Sequence, residues 1–360
     1  MSSIAVGAEG PVRPVARGRW AKAWPYLLYA ARRIVQAIVV ILLAYVITFV
    51  VISIVGANPI STQLHSPQAG LSPASIRRLE TYYGVNKPPL DQLWLGLSRF
   101  VRGDLGISLQ YHLPVKTLIK TALPYTLKLA GLSLLISFLI AALIAYGSQH
   151  FPLRGGRDLL RSLPSLFLSV PNFVVGIVLI QLISFRWHMF DVLDPDSFVA
   201  TLCAAFALAL PICAPLCEVL IANLDNESAQ EYVLVARSRG LSEAKIFFRH
   251  LVKPASLPTV TMAALIVGEL MGGALIVEEV FGRTGVGTLM YQSVSSGDTP
   301  VLQAVVALAA VVFVVVNLIA DLVAPLLDPR VELVGPRAAG GLVRGLGRGF
   351  QPGNKLGSRA

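Results

Sequence analysis

Six stretches of this chain run for about 20 residues almost without charge. Residues 34–56, 129–149, 162–185, 198–217 and 300–320 contain no Asp, Glu, Lys or Arg, and 254–277 is interrupted only by Glu269. A bilayer core takes about 20 helical residues. Lipid offers the backbone no hydrogen-bond partner, so an uncharged run of this length spans as a helix. The sequence therefore predicts an all-α integral membrane protein with six transmembrane helices. The first run is too long for a signal-peptide core, and no small-residue cleavage site follows closely. It reads as an uncleaved anchor.

Composition agrees. Hydrophobic residues make up 55% of the chain and charged residues 14%, against about 45–50% and about 25% in soluble domains. Yet the net charge is +10. Cytoplasmic segments of membrane proteins collect Lys and Arg. With the N-terminus inside, twenty of the thirty Lys and Arg fall on inner segments, and the two short outer loops hold one each, Arg186 and Arg283. The remaining eight lie in 57–128, a segment long enough to escape the rule. The expected topology is N-in, C-in, with a cytoplasmic arm over 1–30, a six-span domain over 31–330 and a disordered, Gly- and Arg-rich cytoplasmic tail over 331–360.

The motifs of common chemistries are missing. The sequence contains no G-x-x-x-x-G-K-[ST], no H-E-x-x-H and no G-x-S-x-G, and its five histidines are scattered. Cys203, Cys213 and Cys217 lie in one apolar run without C-x-x-C spacing, and read as small packing residues. The basic residues lack the interleaved aromatics of a nucleic-acid groove. No catalytic residue, metal site or cofactor site is expected in the chain, and no nucleic-acid partner.

One inner loop, 223–258, is too long and too patterned for a connector. Residues 231–239 suit a helix, and Gly240 ends it as a C′ glycine. Ser242 is placed to N-cap a second, short helix. Ala244, Phe247, Phe248 and Leu251 give that helix an apolar face, suited either to the lipid surface or to a cytosolic partner.

Tyr232-Val233-x-x-Ala236-Arg237-x-x-Gly240-Leu241-Ser242, then Arg249-His250 and Leu257-Pro258, resemble the cytoplasmic EAA loop of ABC-transporter permeases. The resemblance is to the B-type membrane subunit of bacterial dipeptide, oligopeptide and nickel importers, and extends over roughly 31–330. Gly103-Asp104-Leu105-Gly106-x-Ser108, Ser169-Val170-Pro171-x-Phe173, Gly272-Gly273-Ala274, Glu278, Phe281, Gly285, Gly287 and Asp328-Pro329-Arg330 follow in the family's order. The loop departs from the general pattern at Leu234 and Val235, where Glu and Ala are usual, and the preceding segment carries Glu218, Asp225 and Glu227 where arginines are usual.

The resemblance implies a type I importer fold, with ATP and Mg on two cytosolic ATPase subunits and a second homologous permease completing the pore. An extracytoplasmic solute-binding protein delivers the cargo. It also implies that the loop couples ATPase closure to the spans. Ala236, Arg237, Arg239, Gly240, Leu241, Ser242, Phe247, Phe248 and Leu251 are then the coupling residues, with the phenylalanines and Leu251 as knobs. The implied cargo is a peptide. Nickel chelate, glutathione, haem or a sugar are alternatives on the same machinery, and a self-contained channel or carrier is a remote one.

Glu269, inside a span, either lines the passage or pairs with a neighbouring helix. Glu278 and Phe281 border a segment, 281–298, expected to dip back at the gate. Pro171, Pro211 and Pro215 are expected to kink their spans, and Gly268 and Gly272 to pack against the partner permease. Within 57–128, a capped helix is expected after Ser72, and Pro88-Pro89 is expected to end one. This segment either docks the binding protein or covers the pore.

Overall fold

The computed structural model describes residues 19–55, 59–66 and 71–327. The tail at 331–360, the 328–330 stop and the first part of the N-terminal arm lie outside the described residues. Among the described residues the chain is helical, apart from one isolated β-bridge between Ile107 and Pro114.

Four helices are long and apolar enough to cross a membrane unaided. They lie in α1 (Arg19–Val55), α5 (Val115–His150), α8 (Phe198–Ser228) and α13 (Thr299–Leu327). Two further candidate spans are bent pairs, which raises the number to as many as six. The run over 162–185 is thus not one straight span. α6 (Arg154–Ser169) ends at Val170, and α7 (Asn172–Leu179) continues through a π-helical turn, Ile180–Arg186, at 93° to it. Pro171 has no N–H to donate and forces the residue before it out of the helical region, and Val170 is extended at φ −103°, ψ 118°. Pro211 and Pro215, by contrast, sit inside an unbroken α8.

α8 is the axis of the bundle. Its Ala, Cys and Leu side chains are buried almost throughout against α5 and α11 (Val252–Phe281). Small side chains let helix backbones approach closely and bring polar groups within reach across the gap. Ser137 of α5 accordingly donates to the Ala209 carbonyl of α8 at 3.0 Å. Cys203, Cys213 and Cys217 are buried free thiols in this packing.

The bundle has two ends. At one lie α9 (Glu231–Ser238), α10 (Glu243–Ile246) and the C-terminus of α5. At the other lie α12 (Val286–Ser296) and the short helices α2 (Pro59–Leu64), α3 (Pro73–Tyr83) and α4 (Pro89–Val101). Ser72 caps α3 as expected, accepting from Ser75 N at 3.2 Å. Pro88-Pro89 corrects its expectation. α3 already ends at Gly84, with φ +67°, and Pro89 opens α4, where a missing N–H costs nothing. α5 begins at Val115, so the extramembrane segment expected over 57–128 ends in the first turns of a spanning helix.

Candidate functional site

α9 turns Val233 and Ala236 into the core and leaves Leu234 and Val235 59% and 48% exposed. Its C-terminus is a complete Schellman motif. Gly240 N donates to Arg237 O at 2.9 Å and Leu241 N to Ala236 O at 3.3 Å, which satisfies carbonyls a helix end leaves open. Gly240 sits at φ +75° with open space where a Cβ would be. Its requirement is conformational, not steric. Ser242 occupies the N-cap position of α10, but its side chain makes no capping bond. Arg237 instead spans the glycine and grips Glu243, Nε to Oε1 at 2.8 Å and Nη2 to Oε2 at 3.1 Å. These bonds raise the Arg237 pKa and lower that of Glu243. Both groups are solvated, so the pair sets the angle between the helices and contributes little stability.

The expectation that Phe247 and Leu251 project as knobs is corrected. The second helix does not stop short. It passes through a π-helical turn, Phe247–Leu251, directly into α11. That path turns Phe247 and Leu251 inward, to 5% and 6% exposure. Phe247 meets Tyr146 edge-on at 5.1 Å and His150 at 5.1 Å, and those two rings stack at 4.4 Å. Phe248 alone of the expected knobs stays open, 67% exposed. Arg239 is exposed and Leu241 packs against the core edge.

Two of the acidic residues ahead of the loop, Asp225 and Glu227, have partners. Asp225 receives two bonds from Arg161, at 2.9 and 2.8 Å, and one from Gln149 at 2.7 Å. Tyr232 donates to Glu227 at 2.6 Å. Burial first, then Glu227, pushes the Tyr232 hydroxyl up to about 12. α5, α6, α8 and α9 are tied together where they meet.

At the opposite end lie Glu278 and Phe281, expected from sequence beside the gate segment 281–298. Both are buried, at 0% and 2% exposure. Glu278 is the acceptor at the start of α12. Oε1 takes the Thr126 hydroxyl at 2.6 Å, and Oε2 takes Gly287 N at 2.7 Å and Thr288 N at 3.4 Å. The Thr126 oxygen in turn accepts from Val286 N at 2.8 Å. A carboxylate there meets the positive end of the helix dipole. Gly285 and Gly287 are required by contact, since a Cβ on either would lie 2.1 Å and 2.7 Å from the Glu278 carboxylate. Phe281 packs on Gly176 of α7, whose Cβ would lie 3.1 Å from its ring.

Arg283, read from sequence as a flanking charge, is 1% exposed. It donates to Pro195 O at 2.6 Å and Thr201 Oγ1 at 2.9 Å, and lies 3.2 Å from Asp196. Asp298, not singled out from sequence, is also buried. It accepts the Ser108 hydroxyl, and Leu109 N and Gln110 N, each at 3.2 Å. This accounts for Gly103-Asp-Leu-Gly-x-Ser. Gly103 and Gly106 take φ +79° and +89°, which brings Ser108 back to Asp298. Asp298→Ala is expected to leave these buried donors unmatched and to raise amide exchange across 107–113 by at least about tenfold, read by hydrogen–deuterium exchange.

Glu269 is exposed on α11 and makes no hydrogen bond or ion pair among the described residues. Pairing with a neighbouring helix of this chain therefore has no support. Gly268 packs against Phe313 of α13, 3.0 Å from an added Cβ, whereas Gly272 has open space beside it. Among the described residues no cluster of three or more His, Cys, Asp or Glu is placed to hold a metal.

Long apolar helices around a small-residue axis, two of the candidate spans broken, with a rigid helical elbow standing at one end, make a membrane transport subunit. The chain belongs to the family described as the binding-protein-dependent transport system inner membrane component, whose model matches residues 137–333. The nickel import system permease protein NikB of Staphylococcus aureus (strain USA300) is 28% identical over 306 residues, covering 84% of this chain and 90% of NikB. The dipeptide transport system permease protein DppB of Lactococcus lactis subsp. cremoris (strain MG1363) is 26% identical over 306 residues, covering 85% of this chain and 99% of DppB. Among solved structures, an amino acid ABC transporter crystallised with histidines matches at TM-score 0.43 and 19% identity, over 60% of this chain and 95% of that one.

Proposed function

We propose that this chain is one of two homologous permease subunits of an ATP-driven importer that moves peptides into the cytoplasm by alternating access. Each bent pair is one span, giving six, with both termini and the α9–α10 elbow inside. The observation that carries this reading is the elbow. Its apolar residues divide into a buried set, Val233, Ala236, Phe247 and Leu251, and an exposed set, Leu234, Val235 and Phe248. Exposed apolar side chains on a rigidly backed surface are what a partner's groove needs in order to receive force. Two ATPase subunits carrying ATP and Mg supply that force, and a solute-binding protein delivers cargo to the opposite end.

Co-purification tests the assembly. Two ATPases and a second permease are expected to accompany the tagged chain. ATP-independent uptake by the chain alone in proteoliposomes would overturn the reading. The similarity to NikB favours a second cargo, a nickel complex, on the same machinery. Competition of labelled dipeptide uptake by nickel separates the two. Glu269, exposed on α11, is the carboxylate we assign to meet a cationic group on either cargo. Glu269→Gln is expected to raise the half-saturating cargo concentration about tenfold with the assembly intact. Unchanged uptake removes Glu269 from the pathway.

A further inference from the structure

A cavity of about 70 Å³ lies between α1, α4 and the first turn of α13. Tyr45, Tyr82, Arg99, Asp104, Thr299 and Gln303 are among the residues that line it. Thr299 opens both α13 and its apolar membrane-length run, so the cavity sits at the membrane boundary on the α12 end.

Its polar groups do not balance. Thr299 is 8% exposed and its hydroxyl has no partner among the described residues, and the Gln303 side-chain nitrogen, one turn further on, is enclosed and likewise unpartnered among them. An unmatched buried polar group is destabilising, and here two lie on one wall. Arg99 closes the other side. It donates to Tyr82 O, lies 3.8 Å over the Tyr82 ring, and makes no ion pair among the described residues. The lining carboxylate, Asp104, is already engaged, accepting from the Tyr82 hydroxyl at 2.7 Å and from Gly106 N at 3.1 Å. The Thr299 hydroxyl and the Gln303 amide are left to donate, and the lining carboxylate is already engaged. An oxyanion would accept from these donors, and the volume takes a phosphate-sized group but not a peptide.

The surroundings point to where the anion comes from. α4 carries an exposed apolar stripe, Leu90, Trp94 and Val101, at 79%, 73% and 72% exposure. Trp is enriched at membrane–water boundaries. α1, against which α4 packs, exposes Val50, Val51 and Ile54 nearby. We propose that this cavity binds the phosphate of a phospholipid in the leaflet at the α12 end, its acyl chains lying along the apolar faces of α4 and α1.

The test uses the full-length chain, delipidated in dodecyl maltoside, with bound lipid counted by native mass spectrometry. Dioleoylphosphatidylglycerol, phosphate-free dioleoylglycerol and inorganic phosphate are titrated separately. Retention of the phosphatidylglycerol but not the dioleoylglycerol is expected. Inorganic phosphate is expected neither to bind nor to displace the lipid. Thr299→Val with Gln303→Leu is expected to weaken retention at least about tenfold. Arg99→Gln, at the cavity's edge, is expected to do the same, and serves alone if the double variant does not fold. Equal retention of dioleoylglycerol, or retention unchanged in the variants, overturns the site. Displacement by inorganic phosphate overturns the lipid source and assigns the cavity to a free anion.

Discussion

Glu278→Ala is expected to disable transport and to free α12 from the bundle. The wild-type carboxylate is fully buried and accepts from Thr126, Gly287 and Thr288. Removing it leaves three donors in a place water does not reach. Charge-assisted bonds of this kind contribute about 1.5–3 kcal/mol each, and unmatched buried donors add a similar penalty, so a loss of roughly 3–5 kcal/mol is expected. The measurable results are a melting temperature in detergent lower by several degrees and faster proteolysis within 282–298. Uptake should fall by more than about tenfold. Glu278→Gln keeps an acceptor and is expected to fall between the two. Gly285→Ala should mimic the loss while leaving Glu278 in the sequence, because its Cβ would stand 2.1 Å from the carboxylate and push it off its donors. If Glu278→Ala melts and transports like the wild type, the carboxylate does not hold α12.

The second large effect separates fold from coupling on a single elbow. Leu234→Asp is expected to leave the melting temperature near that of the wild type, since the side chain is 59% exposed. It should abolish ATPase co-purification, because a carboxylate would then have to be desolvated in the partner's groove. Phe247→Ala is expected to do the reverse. It empties a site packed against Tyr146 and His150 and costs about 3–5 kcal/mol of stability. Whatever folded chain remains should still bind the ATPase. A Leu234→Asp chain that binds normally would move the contact elsewhere on the elbow.

The membrane character was legible because lipid imposes a single long-range rule, the uncharged 20-residue run. The end of α9 at Gly240 was legible for a local reason, a glycine at the one position needing positive φ. What failed was decided by tertiary path. Phe247 and Leu251 share a helical face with Phe248's neighbours in any α-helical projection. The π-helical turn at Phe247–Leu251 re-aims that face toward Tyr146, and no residue in the turn announces it. The break at Val170–Pro171 was written in the proline, but one sequence does not distinguish a kink from a 93° turn. The roles of Thr126, Arg161, Arg283 and Asp298 were not legible because each gains its role from a residue at least 64 positions away. Glycine at 285 and 287 carried the clearest hint. A pair of residues with no side chain, just after a glutamate, is the imprint of that glutamate folding back.

α12 is pinned fore and aft by two carboxylates, Glu278 before its first turn and Asp298 just beyond its last. Glu278 fastens it to α5 through Thr126, while Asp298 joins the start of α13 to the 108–110 loop. An eleven-residue rod so secured has no slack. Any motion that draws α5 away from α13 must either carry α12 along as a rigid crossbar or break one of the two anion sites. The cost of those bonds then acts as a threshold at that end, below which small thermal excursions leave α5, α12 and α13 in register.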